Sequence, residues 1–205
     1  MSEKKERPIL FSTPMVQALL NGTKTQTRRV VKDSKDFESV KHKNIIDEEL
    51  GPLPEFYAYE KGNMIKMANC PYGKVGDILY VKETHCIFQN EIVYKASNNL
   101  AEVKWTPSLL MKKAAARIFL EITEIKVERV KDISEEDAIA EGIEQKIGKN
   151  GANEDTLFRL DYLSRGYIKM SAAESFKTLW WSINGGESYH ANPWVWVVKF
   201  KVIKP

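Results

Sequence analysis

Four side chains that can do chemistry leave one turn together: Lys24, Thr27, Arg28 and Arg29. An ammonium loses its proton readily when desolvated, so Lys24 is a candidate base. A neighbouring base can turn the Thr27 hydroxyl into a nucleophile. Arg28 and Arg29 bring forked donors suited to phosphate, carboxylate or the edge of a nucleobase. In a regular strand Thr25, Thr27, Arg29 and Val31 share one face, and Gln26, Arg28 and Val30 share the other. By that parity Lys24 points away from Thr27. The two converge only if the turn after Gly22 breaks the alternation, which glycine permits. The plain alternative is a polar edge strand with solvated basic residues.

The elements that must position these groups are legible around them. A short apolar run at 9–12 reads as a strand, Thr13-Pro14 as a helix start, and Asn21-Gly22 as its stop. A second strand-like run covers 25–31. Further on, 78–83 alternates after a Gly76-Asp77 turn, with 92–96 as its expected hairpin partner. Residues 117–129 carry the strictest alternation in the chain. Ser134 then caps a helix that Gly142 ends, which puts Glu141 in the last turn. A carboxylate at the negative end of a helix is disposed to hold a proton, so Glu141 suits a donor or acceptor. Its bland reading is an exposed helix glutamate. Residues 172–183 read as a helix whose Phe176, Leu179, Trp180 and Ile183 form a core stripe. A loop at 184–192 precedes a final strand at 194–202. Tyr189 and Trp194 are candidates to stack on a base, or else ordinary buried aromatics.

Composition narrows the class. The 205 residues are 43% hydrophobic, enough for one domain with a sizeable core. Residues 1–7 read as a disordered lead-in, and 33–73 and 144–170 as insertions, with a mobile loop at 145–155. No apolar run approaches the length of a membrane span. The first residues, MSEKKERP, lack a signal-peptide core, and two cysteines without ligand spacing fit a reducing, cytoplasmic setting. The three histidines form no helical metal pair, so neither a metal nor a cofactor is expected. With 31 basic and 28 acidic residues, the formal charge of +3 is low for a protein that coats duplex nucleic acid. The positive charge clusters at Lys24, Arg28, Arg29, Lys32 and Lys35, with Lys41 and Lys43 beyond. That pattern suits a small anionic ligand or a short single strand, and equally a solvated surface.

The spacing Gly22-x-Lys24-x-x-Thr27-x-Arg29 resembles the signature of the ASCH domain, a relative of the PUA RNA-binding barrels. That signature is usually written with glycine, lysine, glutamate and arginine at these places. Threonine in place of the glutamate is similar to the small amidohydrolases of N(4)-acetylcytidine. CPYGKVGDILYVKET (70–84), ISEEDAIAEGI (133–143) and NPWVWVVKFKVI (192–203) resemble segments of longer phage and prophage ASCH proteins, in the same order. Many of those carry a histidine and a proline near 109–116. Here Leu110 and Lys112 appear, so no ligand role is carried over. The resemblance implies an α+β, PUA-like mixed β-barrel with flanking helices and insertions. It also implies catalytic roles for Lys24, Thr27 and Glu141.

Three functions follow as expectations. The first is hydrolysis of an amide on a modified nucleoside, with Lys24 as base, Thr27 as nucleophile and Glu141 as proton shuttle, while Arg28, Arg29, Tyr189 and Trp194 hold the substrate. The amidohydrolases it is compared with are about half this length. The second is a binding module for single-stranded RNA or a modified base, without chemistry. A ribonuclease ranks last, because no carboxylate cluster marks a metal site. The hydrolase reading requires the Lys24 amine to lie within hydrogen-bond reach of Thr27 or Glu141.

Overall fold

The computed structural model describes residues 4–32, 34, 37–42, 46–47, 51–52, 56–66, 69–98, 100 and 102–203. Five strands form the central sheet: β1 (Glu6–Leu10), β2 (Gln26–Val30), β3 (Ile78–Lys82), β4 (Phe119–Arg129) and β5 (Trp194–Ile203). Their spatial order is β1-β3-β4-β5-β2, with β1 parallel to β3 and the other pairs antiparallel. A register shift between Ile122 and Glu124 interrupts the long β4–β5 ladder.

β5 explains the layering. Trp196, Val198 and Phe200 enter one core with Ile9, Phe11, Leu79 and Leu120, while Val195 and Val197 enter a second with Phe176 and Trp180. A strand buried on both faces must be apolar at nearly every position, as β5 is. Among the described residues four α-helices accompany the sheet: α1 (Thr13–Leu20), α2 (Glu135–Ala140), α3 (Ala172–Asn184) and α4 (Gly186–His190). Ser12, not Thr13, is the N-cap of α1, with Pro14 in its first turn. The Ser134 hydroxyl accepts the Asp137 N–H at the start of α2. α3 opens with a Ser171–Glu174 capping box. In addition, Glu135 accepts the backbone N–H groups of Ala172 and Ala173, at 2.7 and 3.0 Å, tying α2 to α3.

The α+β class is as expected, but the expected barrel is not closed. Among the described residues β1 and β2 are the two edges of an open sheet. Other expectations are also corrected. The supposed lead-in already contains Glu6 and Arg7 in β1, held against Ile78 and Leu79, with Arg7 on Asp77 at 2.9 Å. Strand Glu91–Tyr94 pairs with His85–Phe88 rather than with β3. The 145–155 stretch begins a three-stranded sheet of Gln145–Lys149, Asp155–Asp161 and Gly166–Ile168. The sequence of 145–155 carries no strand signal because its side chains are mostly exposed and show no apolar alternation. The 184–192 loop contains α4. In the 33–73 insertion, Ser39–His42, Phe56–Glu60 and Asn63–Lys66 form another small sheet. No helix among the described residues is long and apolar enough to cross a membrane.

Candidate functional site

The free edge of β2 is where the reactive groups gather. Just before the strand, the Thr25 N–H donates to the Ala140 carbonyl, and Lys24 forms an antiparallel backbone bridge with Glu141. The end of α2 is thereby stitched to the start of β2. The Lys24 ammonium then donates to the Glu141 carbonyl at 2.8 Å and to its carboxylate at 3.0 Å. Both residues are buried, at 1% and 5% exposure, so Glu141 is no solvated helix glutamate. Gly142 makes the approach possible. Its φ is +82°, and a Cβ there would lie 2.9 Å from the Cβ atoms of both Ala18 and Lys24.

Strand parity is broken ahead of Gln26. Lys24 and Arg29, which a regular strand would send to opposite faces, both set their charges over the Phe11 ring, at 5.5 and 5.6 Å. Thr27 and Arg29 pair with Val198 and Trp196, on the side of the first core. Arg28 pairs with Val197 and lies 5.7 Å over Phe176, on the side of the second. The Thr27 hydroxyl is fully buried and has no hydrogen-bond partner among the described residues. Buried hydroxyls without partners are uncommon in folded proteins and point to a special role.

Arg28 is held on every nitrogen by carboxylates. Nη1 donates to Glu141 at 3.1 Å, Nε to Glu128 at 3.0 Å, and Nη2 to Glu128 and Asp137 at 2.6 and 2.9 Å. Lys126 bridges the same Glu128 and Asp137, at 3.0 and 3.2 Å. Three cations, Lys24, Arg28 and Lys126, thus face three anions, Glu128, Asp137 and Glu141. Burial disfavours the Arg28 charge, but Glu141 and Glu128 outweigh it and raise its pKa further. Burial is the dominant influence on Lys24 and lowers its pKa. Glu141 opposes that shift, while Arg29 and Arg28 reinforce it. Arg28, expected to grip substrate, thus has each of its nitrogens engaged by a carboxylate of the chain itself.

Arg29 is placed differently. Its Nη1 and Nη2 donate to the carbonyls of Arg28 and Leu10, both at 3.1 Å, and no carboxylate among the described residues pairs with it. Arg28, Arg29 and Glu141, with the exposed Ser12 and Asn184, form the polar part of the lining of a cavity of about 310 Å³. Its apolar walls come from Leu10, Met15 and Val30 and from the α3 stripe. That volume is at the small end of ligand sites. Lys24 and Thr27 are not among the lining residues.

Tyr189 and Trp194 do not join the site. Tyr189 packs against the second core with the ammonium groups of Lys131 and Lys177 5.6 and 5.9 Å from its ring. The Trp194 indole donates to the Phe37 carbonyl at 3.1 Å and carries the Arg129 guanidinium 4.2 Å from its ring. Neither lines the cavity. The basic cluster is dispersed too: Lys24 and Arg28 are buried in ion pairs, Lys32 is exposed, and Lys35 and Lys43 lie outside the described residues.

Glu128, Asp137 and the α3 wall were missed from sequence. Asp137 sits three residues after Ser134, where the cap accounts for its backbone and nothing in the local spacing marks its side chain as a partner of Arg28. The spacing of the α3 stripe reads as core, which Phe176 and Trp180 also are. Only the exposure of Ile183, at 55%, separates wall from core.

No protein-family model and no curated protein sequence matches the chain. A crystal structure of protein EF3133 from Enterococcus faecalis, described under the family model DUF984, is similar at a TM-score of 0.40 and 12% identity. The match covers 100% of this chain and 83% of that one.

Proposed function

We propose that this is an ASCH-type, PUA-like protein that hydrolyses an exocyclic amide on a modified nucleobase or nucleoside, with an N(4)-acylcytidine as reference substrate. The observation that supports this reading is the meeting of Lys24 with Glu141 across 117 positions of chain. These are two of the three residues that the resemblance to amidohydrolases singles out, and the hydroxyl of the third, Thr27, has no partner among the described residues.

The chemistry starts with neutral Lys24 taking the Thr27 proton. The Thr27 oxygen attacks the acyl carbon, and the C–N bond breaks as an ester forms. Glu141 relays the proton from Lys24 to the departing amine of the base. Water then cleaves the ester, restoring the hydroxyl and releasing a carboxylic acid. Arg29, with no carboxylate of its own among the described residues, stabilises the oxyanion in both steps.

Pure protein incubated with acylated cytidines, and separately with labelled RNA, with and without chelator, tests the proposal. Release of cytidine and acid supports it. Intact amide alongside tight binding ends it for this substrate class, and RNA cleavage points to a nuclease. A reader without turnover is the second reading. It is favoured by one observation: Thr27 and Lys24 are 0% and 1% exposed.

A further inference from the structure

We infer that the cavity lined by Arg29 is a binding site for a small organic monoanion, a carboxylate with an apolar body. The three cations and three anions around Arg28 cancel when Lys24 is protonated, and Arg29 stands outside that balance. A guanidinium has five N–H donors. Two of them go to the carbonyls of Arg28 and Leu10, and the Tyr72 phenol takes up another. Donors therefore remain on a side chain that lines the cavity. Glu141 is the one carboxylate among the described lining residues, and it is already engaged. Its Oε1 accepts from Arg28 and its Oε2 from Lys24.

The rest of the lining narrows the ligand. One unbalanced cation matches one negative charge, and a fork of N–H groups matches the two oxygens of a carboxylate. A dianion would bring a second charge that nothing in the lining offsets. Met15, Phe176, Leu179 and Trp180 supply apolar wall, which suits a hydrocarbon body and leaves the hydroxyls of a sugar without partners. The rim is mixed, with Ser12 and Asn184 exposed beside Val30 and Ile183. The Ser12 hydroxyl makes no cap bond to α1, so it can donate to an anion as well. Thr27 does not line the cavity, and the site needs no step of the hydrolysis proposed above.

Calorimetry on the full chain tests this with benzoate, its neutral isostere benzamide, and inorganic phosphate. Benzoate should bind at least about tenfold more tightly than benzamide, as hydrogen bonds to a charged group imply, and more tightly than phosphate. Arg29→Gln should remove the preference for benzoate over benzamide. Arg29→Lys keeps the charge without the fork, so it should bind benzoate more weakly than the wild type and still prefer it to benzamide. Val30→Glu, at an exposed rim position, should weaken benzoate and leave benzamide nearly unchanged. Lys32→Gln, at an exposed position outside the lining, should change neither. Melting curves confirm that each variant folds. No measurable benzoate binding at millimolar concentration, equal affinity for benzamide, or tighter binding of phosphate overturns the inference. A preference that survives Arg29→Gln overturns it too, as does benzoate affinity that falls in Lys32→Gln but not in Val30→Glu. The assay involves no turnover, so the hydrolase reading stands or falls separately.

Discussion

Lys24 and Glu141 are joined twice, once by a backbone bridge and once by an ammonium that grips both the carbonyl and the carboxylate of its partner. The pair is therefore part of the fold and of the proposed chemistry at once. Glu141→Gln removes the titratable proton, so turnover should fall at least about a hundredfold. It also leaves Lys24 and Arg28 buried beside a neutral amide, which should cost about 3 kcal/mol of stability. In denaturant titrations the double variant Lys24→Met, Glu141→Gln should lose less than Glu141→Gln alone. A Glu141→Gln protein as stable as the wild type would contradict the buried network.

Arg29→Gln addresses the base. Lys24 has a pKa below the ordinary lysine value, first through burial, with Arg29 among the lesser contributors. Neutral amine is the reactive form, so kcat rises with pH through that pKa. Removing a nearby cation favours the ammonium, and the rising limb should move to higher pH. A limb that stays in place, or moves down, would separate Lys24 from the titration.

Gly142→Ala probes the close approach without removing a charged group. The φ of +82° strains any residue with a Cβ, and the added methyl meets Ala18 and Lys24. The expected loss is about 1–3 kcal/mol. Thermal melting checks it, and an unchanged Tm would mean that the chain around Gly142 relaxes freely.

Asp137 links stability to acid. Burial pushes its pKa up, but Lys126 and Arg28 together hold it below the ordinary 3.8. Its contribution is complete above that ordinary value and disappears as pH falls through the lowered one. Asp137→Asn should therefore flatten the acid limb of a stability–pH curve. It should also lower kcat by loosening Arg28 on Glu141, with the Arg29-dependent pH limb still present.

Much of the central sheet was readable because its apolar residues alternate, as in 119–129, or run continuously, as in β5. The helix stops at Gly22 and Gly142 were readable from glycine alone. Two things were not. Burial of Lys24 and Arg28 depends on partners more than a hundred positions away, and local sequence carries no sign of them. The small sheet at 145–168 begins with an exposed strand, and its next two are only partly buried, so their apolar residues follow no clear period.

α2 has six residues, yet Glu135 at its first position holds the opening of α3, and Glu141 just past its last holds Lys24. A helix turns about 100° per residue. One residue inserted or deleted between the two glutamates would swing one of them away from its partner by that angle. The distance along the chain from Glu135 to Glu141 is thus a fixed gauge, and variation in length among homologous chains should be confined to segments outside it.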